Sequence, residues 1–174
     1  MTQSATQTIY LAAGCFWGVE EIYWLQPGVL ATSVGYMGGT TENPSYEAVC
    51  TGRTGHAETV RVDYDPDRIS TRDVLRIFWE KHDPTQGNRQ GNDIGTQYRS
   101  AIFATTPEQR AVAEQTRAEF QRVLDDRAYG TITTAIEDAA DYRYWPAEGY
   151  HQRYLEKNPA GYRCHASTGL RLPA

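Results

Sequence analysis

A strand that hands over to a helix near the start of the chain constrains the fold more than any other feature. Ile9-Tyr10-Leu11-Ala12-Ala13 is a short apolar run of buried-strand length. Helical spacing begins at Phe16 and runs to Gln26, where Pro27-Gly28 stops it. Gly14 and Cys15 occupy the junction. The first backbone N–H groups of a helix lack intrahelical partners, and the helix dipole adds partial positive charge there. Cys15 is therefore expected to have a lowered pKa and to favour the thiolate, the nucleophilic form of sulfur. Phe16 and Trp17 set two large rings beside it, suited to an apolar group on a substrate. The same residues also fit a small apolar cysteine filling the core beside two core aromatics.

The rest of the chain alternates strands and helices without the even spacing of a doubly wound fold. Strand composition over Val29 to Tyr36 is followed by a Gly- and Pro-rich loop, and Ser45 can cap one helical turn over Tyr46 to Cys50. Ala57 to Tyr64 alternates, with Val60, Val62 and Tyr64 on one face and Thr59, Arg61 and Asp63 on the other. A helix is expected from Ser70 to about Lys81, a long polar loop over His82 to Gln97, and a strand over Tyr98 to Ala104. Pro107 opens a helix to about Asp125; Thr131 to Ile136 reads as the last strand and Glu148 to Lys157 as a short helix. The prediction is one compact α+β domain over residues 1–174, a mixed sheet with helices packed on it. Residues 1–7 form a polar N-terminus, and residues 158–174 a mobile coil tail that carries Cys164.

With 174 residues the chain is long enough for a sizeable core. A net charge of −5 with no basic stripe argues against nucleic acid or an anionic membrane as partner. Met1 to Thr8 lack the charged and apolar regions of a signal peptide, and no segment has the length of a membrane span. Three cysteines with no CxxC pair do not make a secreted disulfide scaffold, so a cytoplasmic protein with reduced or exchanging thiols is expected. Only Cys164 and His165 are adjacent candidate ligands, and no spacing suits a metal.

Glu58 shares the apolar strand face of Val60 and Val62, where desolvation raises a carboxyl pKa and can keep it protonated at neutrality. Alternatively it is a solvated rim residue. Tyr46 and Tyr98 each follow a loop, where a phenol either donates to an oxygen in a site or covers the core with a wet hydroxyl. Asp93 lies in the Gly-rich loop, a common place for a turn aspartate. Cys50 is assigned to packing in an apolar turn. Cys164 lies about seven residues beyond the last helix; at roughly 3.3–3.6 Å per residue the tail can span some 20 Å, within reach of Cys15.

Together these segments resemble the A-type peptide methionine sulfoxide reductases. The motifs are Gly14-Cys15-Phe16-Trp17-Gly18, Gly35-Tyr36-Met37-Gly38-Gly39, Asn43-Pro44-Ser45-Tyr46, Thr54-Gly55-His56-Ala57-Glu58, Arg89 through Ser100, and His151-Gln152-Arg153-Tyr154 with Asn158-Pro159-Ala160-Gly161-Tyr162. They occur in order from about Thr8 to Cys164. The resemblance implies a split β-α-β, ferredoxin-like plait and reduction of methionine-S-sulfoxide, free or in proteins. Cys15 matches the nucleophile and Glu58 the proton donor. Tyr46 and Tyr98 match donors to the sulfoxide oxygen, Phe16 and Trp17 the S-methyl pocket, and Asp93 a residue that organises the site and binds the substrate backbone. It further implies a Cys15 sulfenic acid, its condensation with Cys164 to a disulfide, and reduction by thioredoxin or a dithiol such as DTT, with no bound cofactor and a monomeric enzyme. Some relatives carry two tail cysteines; here Cys164 stands alone, which implies single-step recycling. A thiol peroxidase and a Cys15–Cys164 redox sensor are the competing readings of the residues.

Overall fold

The computed structural model describes residues 4–163 and 166–174. Eight strands and five helices follow one another as β1 (Gln7–Ala13), α1 (Phe16–Trp24), β2 (Val29–Met37), α2 (Tyr46–Cys50), β3 (Ala57–Tyr64), α3 (Thr71–Lys81), β4 (Arg89–Gln90), β5 (Asp93–Ile94), β6 (Ser100–Ala104), α4 (Pro107–Asp125), β7 (Ala135–Asp138), β8 (Trp145–Pro146) and α5 (Tyr154–Lys157). The main sheet runs in the order β7-β6-β1-β3-β2-β8. Its four central strands are antiparallel, β7 joins β6 in parallel, and β8 closes the other edge against β2. In the connections β1-α1-β2 and β3-α3-β6 the returning strand leaves room for one strand between. That is the split β-α-β plait, built as a mixed sheet.

Period-two alternation decides which side chains meet the helices. Ile9 and Leu11 of β1, Val34 and Tyr36 of β2, and Val60, Val62 and Tyr64 of β3 form one core with Phe16, Val19 and Tyr23 of α1 and Val74, Leu75, Phe78 and Trp79 of α3. The opposite face carries a smaller cluster of Ala12, Met37, Ala57, Ala101 and Phe103. Ser45, Ser70 and Thr106 cap α2, α3 and α4, each side-chain oxygen accepting from the backbone N–H three residues on.

Three expectations from the sequence change. The strand expected over Thr131 to Ile136 is β7, which starts at Ala135 because the preceding backbone is bound elsewhere: Ile132 N–H donates to Gln121 and Thr133 N–H to the Pro84 carbonyl, both 2.8 Å; the short β8 follows it as the last strand. The expected helix from Glu148 splits into a 3-10 turn over Gly149–His151 and the four residues of α5, with Arg153 between them at φ +49°. There Gln152 clasps the backbone of Val34 on β2, and Arg153 N–H donates to Glu20, so tertiary bonds displace helical ones. The polar loop over 82–97 contains the β4–β5 hairpin and a 3-10 turn over Thr96–Tyr98. The chain's far end is docked: Leu172 is buried, and its backbone is held by Arg76 and Glu80 of α3.

Candidate active site

Cys15 is the N-cap of α1 and is nearly buried, directly after Gly14 at φ +98°. A Cβ at Gly14 would also sit 2.8 Å from the side chain of Gln90, so glycine is needed for both conformation and space. Gln90 bonds the backbone of Asp83 at both ends of its amide and seats the β4–β5 hairpin beside the cysteine loop. This brings Asp93 to the site.

Glu58 opens β3 on the helix-facing side and is 2% exposed. Its carboxyl accepts one hydrogen bond, from the backbone N–H of Phe16 at 3.1 Å. Burial pushes its pKa up to about 8, opposed by that N–H and reinforced by the nearby charge of Asp93. At pH 7 the group is therefore mostly a neutral acid, lodged against the residue that follows the sulfur.

The predicted thiolate is not what the geometry favours. Burial pushes the Cys15 thiol above the ordinary cysteine range, and negative charge on Glu58 adds to the rise. The amides of Trp17 and Gly18 pull the other way without prevailing. Two facts explain the difference: the first free N–H of the helix is committed to Glu58, and removing the sulfur from water costs more than the remaining dipole returns. Resting Cys15 is a thiol.

Tyr46 and Tyr98 are half-buried and come together near Glu58, from α2 and from the 3-10 turn before β6. Burial first, and then the charge of Glu58, raise both pKa values, so both remain phenolic donors. Phe16 is buried, with its ring 5.8 Å from that of Tyr36 and 5.1 Å from that of His151. Trp17 is the more open of the pair; it stacks on Tyr154 at 3.9 Å. Asp93 accepts from the Tyr162 hydroxyl at 3.1 Å through one oxygen, while its other oxygen is buried and has no hydrogen-bond partner among the described residues. Cys50 departs from its expected packing role. Val49 takes the core position of the single turn, leaving Cys50 exposed with its thiol hydrogen-bonded to Tyr46. Cys164 lies outside the described residues.

Two residues beyond those predicted organise the site. His151, fully buried, accepts from the Trp17 indole N–H at 3.0 Å and is flanked by the rings of Phe16, Tyr46 and Tyr150. Glu148 accepts from the Tyr36 hydroxyl and from the Tyr46 N–H, both 2.9 Å, and so fixes where α2 begins. Both lie in the segment read as a plain helix. His151 stands in one of the family-like motifs, but nothing in the sequence marks it or Glu148 as a site residue.

Residues 7–172 match the family model described as peptide methionine sulfoxide reductase. The chain belongs to the peptide methionine sulfoxide reductase family. A member of that family from Salinispora arenicola is 56% identical over 170 residues, spanning 97% of this chain and 76% of its own length. The solved methionine sulfoxide reductase A of Corynebacterium diphtheriae superposes with a TM-score of 0.88 at 46% identity, covering 99% of this chain and 85% of that one. Reduced Mxr1 of Saccharomyces cerevisiae superposes with a TM-score of 0.83 at 36% identity, covering 97% and 93%. This reductase family member is an oxidoreductase whose activity is the thiol-dependent reduction of methionine sulfoxide to methionine. Among the described residues no helix is long and apolar enough to cross a membrane.

Proposed function

We propose that Cys15 attacks the sulfoxide sulfur of methionine-S-sulfoxide while Glu58 supplies the proton that its oxygen takes up. The carrying observation is a buried carboxyl, its pKa raised by that burial, which accepts from the backbone N–H beside the nucleophile. Proton delivery makes the substrate sulfur electrophilic as its oxygen gains hydrogen, and the Glu58 carboxylate left behind is the acceptor for the thiol proton of Cys15. The raised thiol pKa suits this coupling, since the sulfur ionises as the substrate is protonated. Over the step methionine sulfur gains two electrons, Cys15 sulfur loses two, and the oxygen ends on Cys15 as a sulfenic acid.

Tyr46 and Tyr98 donate to the sulfoxide oxygen. Trp17, held by His151 and Tyr154 and backed by Phe16, walls the methyl group. The unpartnered oxygen of Asp93 receives a backbone N–H of the substrate. The S preference and the acceptance of free and protein-bound sulfoxide follow from family membership.

Cys164 then attacks the sulfenic sulfur: a disulfide forms, the S–O bond breaks, and the oxygen leaves as water with the thiol proton. Thioredoxin, or a dithiol such as DTT, reduces that disulfide by exchange. Mxr1 has been solved in complex with Trx2, which supports a protein reductant here. The enzyme acts as a monomer in the cytoplasm, with every reacting group supplied by one chain.

Racemic methionine sulfoxide at one equivalent of S epimer, without reductant, tests this. One methionine per chain with loss of two thiols is expected. Cys164→Ser should still yield one methionine but stop thioredoxin-driven turnover. Oxidation without methionine would favour the redox sensor, and undiminished cycling of Cys164→Ser would remove that residue from the scheme.

A further inference from the structure

An open cavity of about 880 Å³ lies across the sheet from the catalytic groups. Tyr10, Arg61 and Ser33 stand side by side on β1, β3 and β2, and the alternation that turns Val60 and Val62 to the helices turns these three the other way. The returning 142–153 segment completes the wall. Three lining residues, Arg61, Arg143 and Arg153, are arginines and none is acidic, in a chain whose net charge is −5. Cations gathered in a concave surface focus a positive field. Their charges are only partly answered. Arg61 donates through Nε to Asp63 at 3.1 Å, and no hydrogen bond among the described residues uses its two terminal nitrogens. Arg153 gives one terminal nitrogen to Glu156 at 3.3 Å. Arg143 has no ion pair among the described residues; its guanidinium lies over Trp145, 4.0 Å from the ring centre. A guanidinium over a ring keeps its N–H edge for two-pronged recognition of phosphate. The lining is also aromatic. Tyr10 and Tyr144 pack with ring centroids 5.1 Å apart, and the Tyr144 hydroxyl shares a hydrogen bond of 2.8 Å with Ser33. Aromatic walls, a few polar groups and this volume suit a small organic molecule better than a single inorganic ion.

We propose that this cavity is a second binding site, for a nucleoside di- or triphosphate: its phosphates meet Arg61 and Arg143, and its base lies against Tyr10 and Tyr144. A cluster of guanidinia calls for an anion of more than one charge, and tyrosine faces accept a flat ring. Such a ligand leaves the catalytic pocket open, because Glu58 shares the helix-facing side of β3 with Val60 and Val62. Arg153 also belongs to the corner flanked by His151 and Tyr154, which hold Trp17, so the other two arginines are the ones to substitute.

ATP, AMP, adenosine and inorganic triphosphate are titrated separately into the full chain without divalent metal, with binding followed by calorimetry. ATP should saturate a single site, AMP and triphosphate should each bind more weakly, and adenosine weakest of all. Raising the salt should weaken ATP. Excess methionine sulfoxide should not displace it. Arg61→Gln and Arg143→Gln should each lower ATP affinity by about 10- to 100-fold, the loss of a hydrogen bond to a charged group. Their denaturation midpoints, measured in parallel, report whether the fold is intact. Failure of ATP to saturate at millimolar concentration overturns the proposal. Triphosphate binding as tightly as ATP reduces the cavity to a bare anion patch, and displacement by methionine sulfoxide puts the ligand in the catalytic pocket; either result overturns it too. So does unchanged ATP affinity in both variants, which would place the ligand elsewhere. Where a variant proves unstable, the ligand series on the wild-type chain decides.

Discussion

Glu20 and Glu58 are both buried carboxyls, 0% and 2% exposed, and burial raises the pKa of each. Their surroundings differ. Glu20, on α1, accepts from the Thr32 hydroxyl and from the Arg153 N–H, both 2.8 Å, and feels the charge of Arg153. Glu58 has one N–H and a repelling neighbour, Asp93. Donors favour the carboxylate, so Glu20 is a clasp that holds the left-handed Arg153 corner against α1. Glu58, with few donors, is left as an acid. Burial alone does not make a proton donor; burial with the donors withheld does.

The sharpest separation is chemical. Cys15→Ser should abolish methionine formation altogether. Glu58→Gln should slow the single-turnover methionine burst by about 10²–10⁴-fold, the usual contribution of a general acid. Glu20→Gln should leave the burst within a small factor of wild type, and a large loss there would erase the distinction between the two carboxyls.

The pH dependence sharpens it further. Burst kcat/KM in the wild type should fall as pH rises through about 8, where free Glu58 loses its proton, and Glu58→Gln should lose that limb. Stability follows the same group. Its folded pKa, about 8, exceeds the ordinary 4.5, so the folded state binds the extra proton between those values. The contribution of Glu58 is complete below about pH 4.5 and declines as pH rises towards 8. Glu58→Gln, which keeps an oxygen for the Phe16 N–H, should therefore be the more stable protein above pH 8, by a few kcal/mol at about 1.4 kcal/mol per pKa unit. Chemical denaturation at pH 6 and 9 measures it. Glu20→Gln should instead cost about 1–2 kcal/mol at neutral pH, because an amide turns a donor towards one of two donors.

Much of this was legible in the sequence, and for physical reasons. β3 and α4 have the predicted bounds because alternation over Ala57–Tyr64 and the Pro107 start are local signals. Glu58 was conspicuous as a carboxyl on an apolar face. Glu20 was not, since a glutamate in an amphipathic helix ordinarily faces water, and its partners Thr32 of β2 and the returning 152–153 corner reach it only in the fold. His151 and Glu148 escaped for the same reason: their partners Trp17, Tyr36 and Tyr46 lie more than a hundred residues away. The direction of the Cys15 shift was missed because a helix start shows in a sequence, whereas the depth of a sulfur and the prior claim on an amide do not.

The Phe16 amide has one more consequence. Because it donates to Glu58 of β3, the first residue of α1 ties the nucleophile's end of the helix to the strand that carries the acid. A disturbance that tilts this helix end works against that one bond, and so changes the spacing of the two reacting groups as well as the placement of the sulfur against Tyr46, Tyr98 and Asp93. Variation that loosens the start of α1 should therefore reach the chemical step itself, without touching either reacting side chain.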